Sequence, residues 1–335
     1  MKISSIVFRV FNIFLTILAI QNPWHIPVLY HEILEGISLF QDKQNIVVDA
    51  TLWLWWHAIW ILSKMNKGDV FIAFDADLDN LRSAQENIEA SIWNEIKNKN
   101  ITIHYIHSNF RFLSKNLSDI WVDKITHIYY DFWVNSVHYD NAEKWFSFRL
   151  SWPLDLRYDR SSWITAKDVV NTYDEQELRK IFYSYWEEKK TPFIVEAILK
   201  ARKISPISTT DELADIIQKS SFDPKSKTRV FQALRIEVND EFWSIRDSLK
   251  DAIGLLEVNW IIECITFHSL EDRIVKEIFS SFCTEEIDDF TGQTIKTWIA
   301  KKITKKPIIP TEKEIEANPR SRSAKLRIIQ KIRTI

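Results

Sequence analysis

The amino-acid sequence predicts an α/β protein, a doubly wound parallel sheet interrupted by an inserted all-helical domain. Three observations carry that prediction. Short apolar runs alternate with helical patterns through the first ~135 residues, the signature of βαβ units. The alternation stops from about Asn141 to Lys227, where only helical spacing is found. Strand and helix patterns then resume and continue toward the C-terminus.

In chain order, strands are expected at Ile46 to Asp49, Val70 to Asp75, Ile101 to Ile106 and Ile125 to Asp131. Spaced apolar positions between them predict helices over Leu78 to Ile92 and Phe110 to Leu117. In such a sheet the ligand sits at the carboxyl ends of the strands. Helices are expected next at Ala166 to Thr172, Glu175 to Trp186, Pro192 to Lys203 and Thr210 to Lys219, with SFDPKSKTR as the linker back to the sheet. A long helix from Phe231 to Leu256 follows, then a strand Ile261 to Phe267, a helix Leu270 to Phe282, and late strands near Ile295 to Ile303 and Leu326 to Ile332. The organisation is an extension over 1–24, a first part of the sheet domain over 25–140, a helical insert over 141–227 and a second part over 228–335 with a basic tail.

Ile3 to Ile20 is apolar but carries Arg9 and Asn12, so its uninterrupted part is shorter than the ~20 residues of a spanning helix. The preferred reading is a start codon assigned too far upstream, with a membrane anchor or signal peptide as the alternative. Two cysteines, Cys264 and Cys283, indicate neither a disulfide framework nor a zinc site, so no metal is expected and a reducing cytoplasm fits. The net charge of -2 excludes a wholly basic nucleic-acid binder. From Lys301 to Ile335, however, eleven Lys or Arg stand against three Glu, a tail that either meets phosphates or is a solvated face. A homodimer is compatible with the sequence, which does not fix the oligomeric state.

Usage of glycine and tryptophan is inverted. The chain has four glycines and fifteen tryptophans in 335 residues. Average glycine usage is about 7%, against roughly 1% here, and the nineteen residues together restore roughly 6%. After Ile46, Val47 and Val48 the chain reads DATLWLWWH, with Trp53, Trp55 and Trp56 where a strand-to-helix turn at a nucleotide-like cofactor needs glycine. Three indoles there are expected to fill the ligand's space. Both facts suggest UGA codons that the cell reads as glycine. The alternative, an aromatic surface for stacking bases or sugars, predicts tryptophans on one exposed face instead of in turns.

Asp75 closes the second strand in FIAFDAD, twenty residues after Trp55, where an acid is placed to accept both hydroxyls of an adenosine ribose. Asp77 is the better candidate for the following helix N-cap. Asp131 ends the fourth strand in IYYDFW and points toward the same crevice.

The blocks HIPVLYHE, DATLWLWWH, FDAD, HSNF, DFWVNSVHYD, WFSFR, WPLDLR, KTRVFQALRIEVNDE, TFHSLEDRIVK and NPRSRSAKLR, in this order, resemble the successive motifs of the RsmH (MraW) family. The resemblance runs from His25 over nearly the whole chain. It implies a class I, Rossmann-like methyltransferase that uses S-adenosylmethionine to methylate N4 of a cytosine in the decoding region of 16S ribosomal RNA. The family pattern carries glycine where this chain has Trp53, Trp55, Trp56, Trp133, Trp145, Trp152, Trp186 and Trp260; the other seven tryptophans, Trp121 among them, lie in less constrained stretches. By resemblance the cofactor contacts are Trp55, Trp56, His57, Asp75, Phe110, Asp131 and His138, the last standing where the family usually has glutamine.

Cytosine N4 is a poor nucleophile because its lone pair is delocalised, so catalysis rests on alignment and on an acceptor for its N–H. Asp131 is the candidate for that role, serving the base or the cofactor; a DPPY-like motif is replaced here by DFWV. The base must leave any stack, and Phe146 and Phe148 are candidates to receive it. His268 in FHSLEDR is placed either to contact RNA or catalyse proton removal, or simply beside a helix start capped by Ser269. Arg320, Arg322, Lys325 and Arg327 are the best phosphate-binding candidates. The readings kept beside this one are an amino-methyltransferase of another nucleic acid and an inactive RNA-binding relative whose turn is blocked by indoles.

Overall fold

The computed structural model describes residues 27–334 apart from 54, 133–150, 163, 187–188, 288–290 and 292. Helix α1 (Tyr30–Gly36) precedes strand β1 (Ile46–Asp49), α2 (Trp56–Lys64), β2 (Val70–Asp75), α3 (Leu78–Lys99), β3 (Thr102–His107), α4 (Leu113–Asp119) and β4 (Ile125–Asp131). Five helices follow: α5 (Ala166–Thr172), α6 (Glu175–Trp186), α7 (Thr191–Arg202), α8 (Thr210–Ser221) and α9 (Pro224–Val238). The chain returns to the sheet through α10 (Glu241–Leu255), β5 (Leu256–Thr266) and α11 (Ser269–Cys283). It ends with β6 (Glu286–Ile287), β7 (Thr294–Lys296), β8 (Ala300–Lys302), α12 (Glu312–Ala317) and β9 (Lys325–Lys331).

The main sheet has the order β3-β2-β1-β4-β5-β9-β8. Strands β1 to β5 pair in parallel, and β9 and β8 add antiparallel at the far edge. Burial on both faces explains the near-continuous apolar strands. In β2, Phe71 and Ala73 join the core on the α2 and α3 side, while Ile72 and Phe74 join the opposite one. All four are fully buried. Each of the larger side chains contributes about 1.5–3 kcal/mol by leaving water. Glycine eases the approach of α1 to this sheet: a Cβ on Gly36 would collide with the buried Glu263 carboxyl.

A third core is built mainly from helices. It gathers Leu154 and Leu156 with apolar residues of α5 to α8 and also takes Val230, Leu234 and Val238 from α9, so it continues past Lys227. The segment read as a linker, SFDPKSKTR, is in fact the start of α9: Asp223 caps it by accepting from the Lys225 amide at 2.9 Å, and Pro224 occupies the first turn. The expected single helix from Phe231 to Leu256 is two, broken at Asn239 and Asp240. Asp240 is left-handed at φ 51, and Asn239 is pinned by the Tyr158 amide and the Leu156 carbonyl. The first long helix runs to Lys99, beyond the expected Ile92, where it kinks at φ -136. The late strand expected over Ile295 to Ile303 divides into β7 and β8, which belong to different sheets. No helix among the described residues is long and apolar enough to cross a membrane.

Candidate active site

β1, β2 and β4 each finish in a buried aspartate, Asp49, Asp75 and Asp131. Side chains alternate along a strand, so these follow Val47, Ala73 and Tyr129 onto the α2 and α3 side of the sheet. Strand order reverses between β1 and β4, where doubly wound sheets open a crevice. A cavity lies at that edge. One wall is Ala50, Thr51, Trp53, Asp75, Asn80, Asn109 and Phe110; the other is Tyr158, Asn239, Glu241 and Ser244.

Asp75 has the chemistry of a ligand-binding acid. Its Oδ1 accepts the Asp77 amide at 2.8 Å, while Oδ2 is buried without a hydrogen-bond partner among the described residues. Burial pushes its carboxyl up to about 8, with the Asp77 amide and, more weakly, the Trp53 amide opposing. An unsatisfied buried oxygen is expensive unless a ligand donates to it. Asp77 caps α3, accepting from Asp79 at 2.9 Å and Asn80 at 3.3 Å, as its sequence position suggests. Phe110 stands on a single 3-10 turn, Phe110–Phe112, and sets its ring against Tyr130 and Phe132.

Beneath the turn after β1 lies a polar cluster. Tyr129 donates its hydroxyl to Asp49, whose carboxyl burial raises to about 7, and Thr51 accepts the Asp131 amide at 2.7 Å. His57 faces the Val28 carbonyl through Nε2 at 3.2 Å. A carbonyl only accepts, so Nε2 carries the proton and Nδ1 presents a lone pair. That lone pair faces Asp131 Oδ2 at 3.8 Å, and burial lowers the imidazole to about 4, leaving it neutral near pH 7.

The opposite wall is rigidly held. Arg235, only 2% exposed, grips Glu241 through two hydrogen bonds at 2.7 and 3.0 Å, and the Tyr158 hydroxyl donates to Glu241 at 3.2 Å. Buried, bidentate charge pairs of this kind set geometry more than stability. Sequence reasoning assigned no role to Tyr158, Asn239, Glu241 or Ser244. The available signal was the length of the block KTRVFQALRIEVNDE, which contains Arg235, Asn239 and Glu241.

The turn itself departs from expectation. Trp55 and Trp56 stack on each other at 6.1 Å and pack against the core on the α2 side, because α2 begins at Trp56 and turns its first rings inward. Of the three indoles, Trp53 alone lines the cavity. Its Nε1 donates to the Asp131 carbonyl at 2.8 Å and its ring stands edge-on to Tyr158. The cavity left is about 60 Å³. A water needs ~10–15 Å³, so this is room for a few waters and not for a nucleoside.

His138, expected at the cofactor, and Phe146 and Phe148, expected at RNA, lie outside the described residues. The other residues expected to meet RNA divide. His268, not Ser269, caps α11: its Nδ1 accepts the Glu271 amide at 3.3 Å, and Glu271 answers by accepting the Phe267 and His268 amides. Lys325 and Arg327 sit on β9 and bind Asp272, the arginine at 2.6 and 3.1 Å and the lysine at 3.2 Å. On the 3-10 turn Pro319–Ser323, Arg322 is exposed and Arg320 is half-buried.

The profile of the MraW methylase family matches residues 22–332. A ribosomal RNA small subunit methyltransferase H from Streptococcus dysgalactiae subsp. equisimilis is 39% identical over 318 residues, 92% of this chain and 98% of its own. The same-named protein of Streptococcus pyogenes is 38% identical over 318 residues, with the same coverage of both chains. Among solved structures, a putative rRNA-methylase from Clostridium thermocellum aligns over 93% of this chain and 99% of its own at 10% identity, with a TM-score of 0.41. With an acid-lined crevice at the end of a parallel sheet, a family profile that matches residues 22–332 and a relative 39% identical over 92% of this chain, the chain belongs to the MraW methylase family.

Proposed function

We propose that this chain transfers a methyl group from S-adenosylmethionine to N4 of a cytosine in 16S ribosomal RNA. The observation that carries the reading is Asp75, a carboxyl with one buried, unpartnered oxygen at the end of β2. Ribose hydroxyls would supply the missing donors, and Phe110 would lie against the adenine. The side chains at this edge therefore match the adenosine end of the cofactor in chemistry, while the cavity of about 60 Å³ is too small to admit it. The methionine end meets a second obstacle, because the indole of Trp53 stands over the Asp131 carbonyl where that end would pass.

Bound in this crevice, S-adenosylmethionine supplies an electrophilic sulfonium methyl. Everything else falls to the chain. The turn of Trp55, Trp56 and His57 would approach the cofactor from β1, with His138 contributing as well. Asp131 and Nδ1 of His57 present two acceptors 3.8 Å apart at the end of β4, suited to polarise the N–H of an incoming amino group. Neutral His57 can hold the departing proton on Nδ1, with the Asp131 carboxylate beside it. Phe146 and Phe148 would receive the unstacked base. Arg320 and Arg322 would meet phosphate, with Lys325 and Arg327 acting there only in concert with Asp272, and His268 standing at the rim.

Mapping N4-methylcytosine in 16S ribosomal RNA from cells with and without the gene tests the reading. Loss of one methylated cytosine on deletion, restored by the gene, supports it; an unchanged methylation map overturns it. The rival reading, an RNA-binding relative that takes no cofactor, is favoured by the position of the Trp53 indole and is separated by S-adenosylmethionine binding.

A further inference from the structure

Nine non-glycine residues among those described have positive φ, and three of them are tryptophan: Trp53 at 41, Trp55 at 57 and Trp121 at 61. Left-handed backbone is open to glycine and occasionally to asparagine or aspartate, whereas for a bulky side chain it is an outlier. Trp53 and Trp55 shape the turn over the crevice. Trp55 is the α2 N-cap yet offers no side-chain acceptor to the helix.

Trp121 is an independent case, since it lies at the end of α4 and no cavity is involved. The Trp121 amide donates to the Ser118 carbonyl at 3.0 Å and the Val122 amide to the Leu117 carbonyl at 2.9 Å. Those two bonds are the paired closure of a Schellman motif, whose left-handed residue is usually glycine. The indole there is 92% exposed, so it contributes almost no burial that would justify the conformation. Two more tryptophans, Trp152 and Trp260, bury an indole N–H with no acceptor among the described residues. The family resemblance puts position 121 in a less constrained stretch; its backbone constrains it.

We infer that positions 53, 55 and 121 are built for glycine and carry it in the working protein, through UGA codons read as glycine, and that Trp53 as written plugs the cofactor crevice. At 53 and 55 the inference rests on the cofactor reading above; at 121 it does not. That separation makes the test decisive. The chain as written, Trp53→Gly/Trp55→Gly and Trp121→Gly are compared by calorimetric titration with S-adenosylhomocysteine and by thermal melting.

The double variant should bind at least tenfold more tightly than the chain as written, and Trp121→Gly should melt several degrees higher with unchanged ligand affinity. Equal binding by the written chain and the double variant overturns the plug. No rise in melting temperature for Trp121→Gly overturns the glycine assignment. If Trp121→Gly stabilises while neither protein binds the ligand, the glycine assignment stands and the cofactor reading fails. Peptide masses from the native source decide the matter even where the written chain does not fold: glycine at 121 supports the inference, and tryptophan there overturns it.

Discussion

Two strand-to-helix turns stand on the same edge of the sheet, one after β1 and one after β5, and they are built in opposite ways. The turn into α11 satisfies itself: His268 caps the helix, Glu271 returns the bond to two amides, and Asp272 collects Lys325 and Arg327. The turn into α2 leaves its business unfinished, with a left-handed N-cap that offers no side-chain bond and, across the crevice, the unpartnered Oδ2 of Asp75. Backbone closed by its own side chains is scaffold. Backbone that withholds its polar groups from the protein is holding them for something else.

Asp75→Ala breaks the comparison most severely. In a protein with glycine at 53 and 55, it should weaken S-adenosylhomocysteine binding by about a hundredfold or more, the loss of hydrogen bonds to a charged group at ~1.5–3 kcal/mol each. The melting temperature of the ligand-free variant should hold or rise, because a buried, unsatisfied carboxyl has gone. A parallel loss of stability and affinity would place Asp75 among the structural residues instead.

The second effect is a pH dependence of opposite sign for stability and for binding. Burial raises the Asp75 carboxyl to about 8 from its ordinary value, so the fold favours the protonated form. Its contribution to stability is complete below the unfolded value of about 3.9 and is lost as pH rises through 8. Ribose hydroxyls donate to the ionised form, so ligand affinity should climb by roughly fiftyfold between pH 6 and 8, as the ionised fraction rises from about 1% to about one half. Calorimetry across that range checks it, and an Asp75→Asn protein should show a flat profile. A flat profile in the parent would remove Asp75 from the binding site.

Glu271→Ala tests the other turn. Glu271 is 2% exposed, and its removal strands the Phe267 and His268 amides, at a cost of about 1–2 kcal/mol in chemical denaturation. Cofactor affinity should not move. A large loss of affinity would mean that the two turns are one unit, and the contrast drawn between them would fail.

How far these differences can be read from the sequence depends on how local they are. The three strand-terminal acids are legible because an apolar run ending in Asp is a local pattern, and Asp77 was recognisable as a cap from its place before Leu78. The far wall was not legible. Tyr158 reaches Glu241 across 83 positions, and nothing near either residue announces the partner. The break at Asn239 and Asp240 was hidden for the same reason, since its cause is the backbone at 156–158 and the apolar spacing on either side is helical. Asp–Pro at 223–224 was a local signal for a helix start that the basic, polar composition of SFDPKSKTR masked.

The tail shows the same limit and gives the smallest expected effect. Four cations in NPRSRSAKLR look alike in sequence, yet Lys325 and Arg327 pair with Asp272, 53 and 55 residues away. Arg322 is the exposed one of the set on its 3-10 turn. Replacing it with Ala should weaken RNA binding a few-fold, as for the loss of one phosphate contact, and reduce the salt dependence of binding by about one unit of slope. Cofactor affinity and melting temperature should be unchanged. Arg327→Ala should instead destabilise the fold, because Asp272, 9% exposed, is left with Lys325 alone. If the two substitutions behaved alike in RNA binding and in stability, the ion pair at Asp272 would not divide the tail into a phosphate contact and a brace for α11.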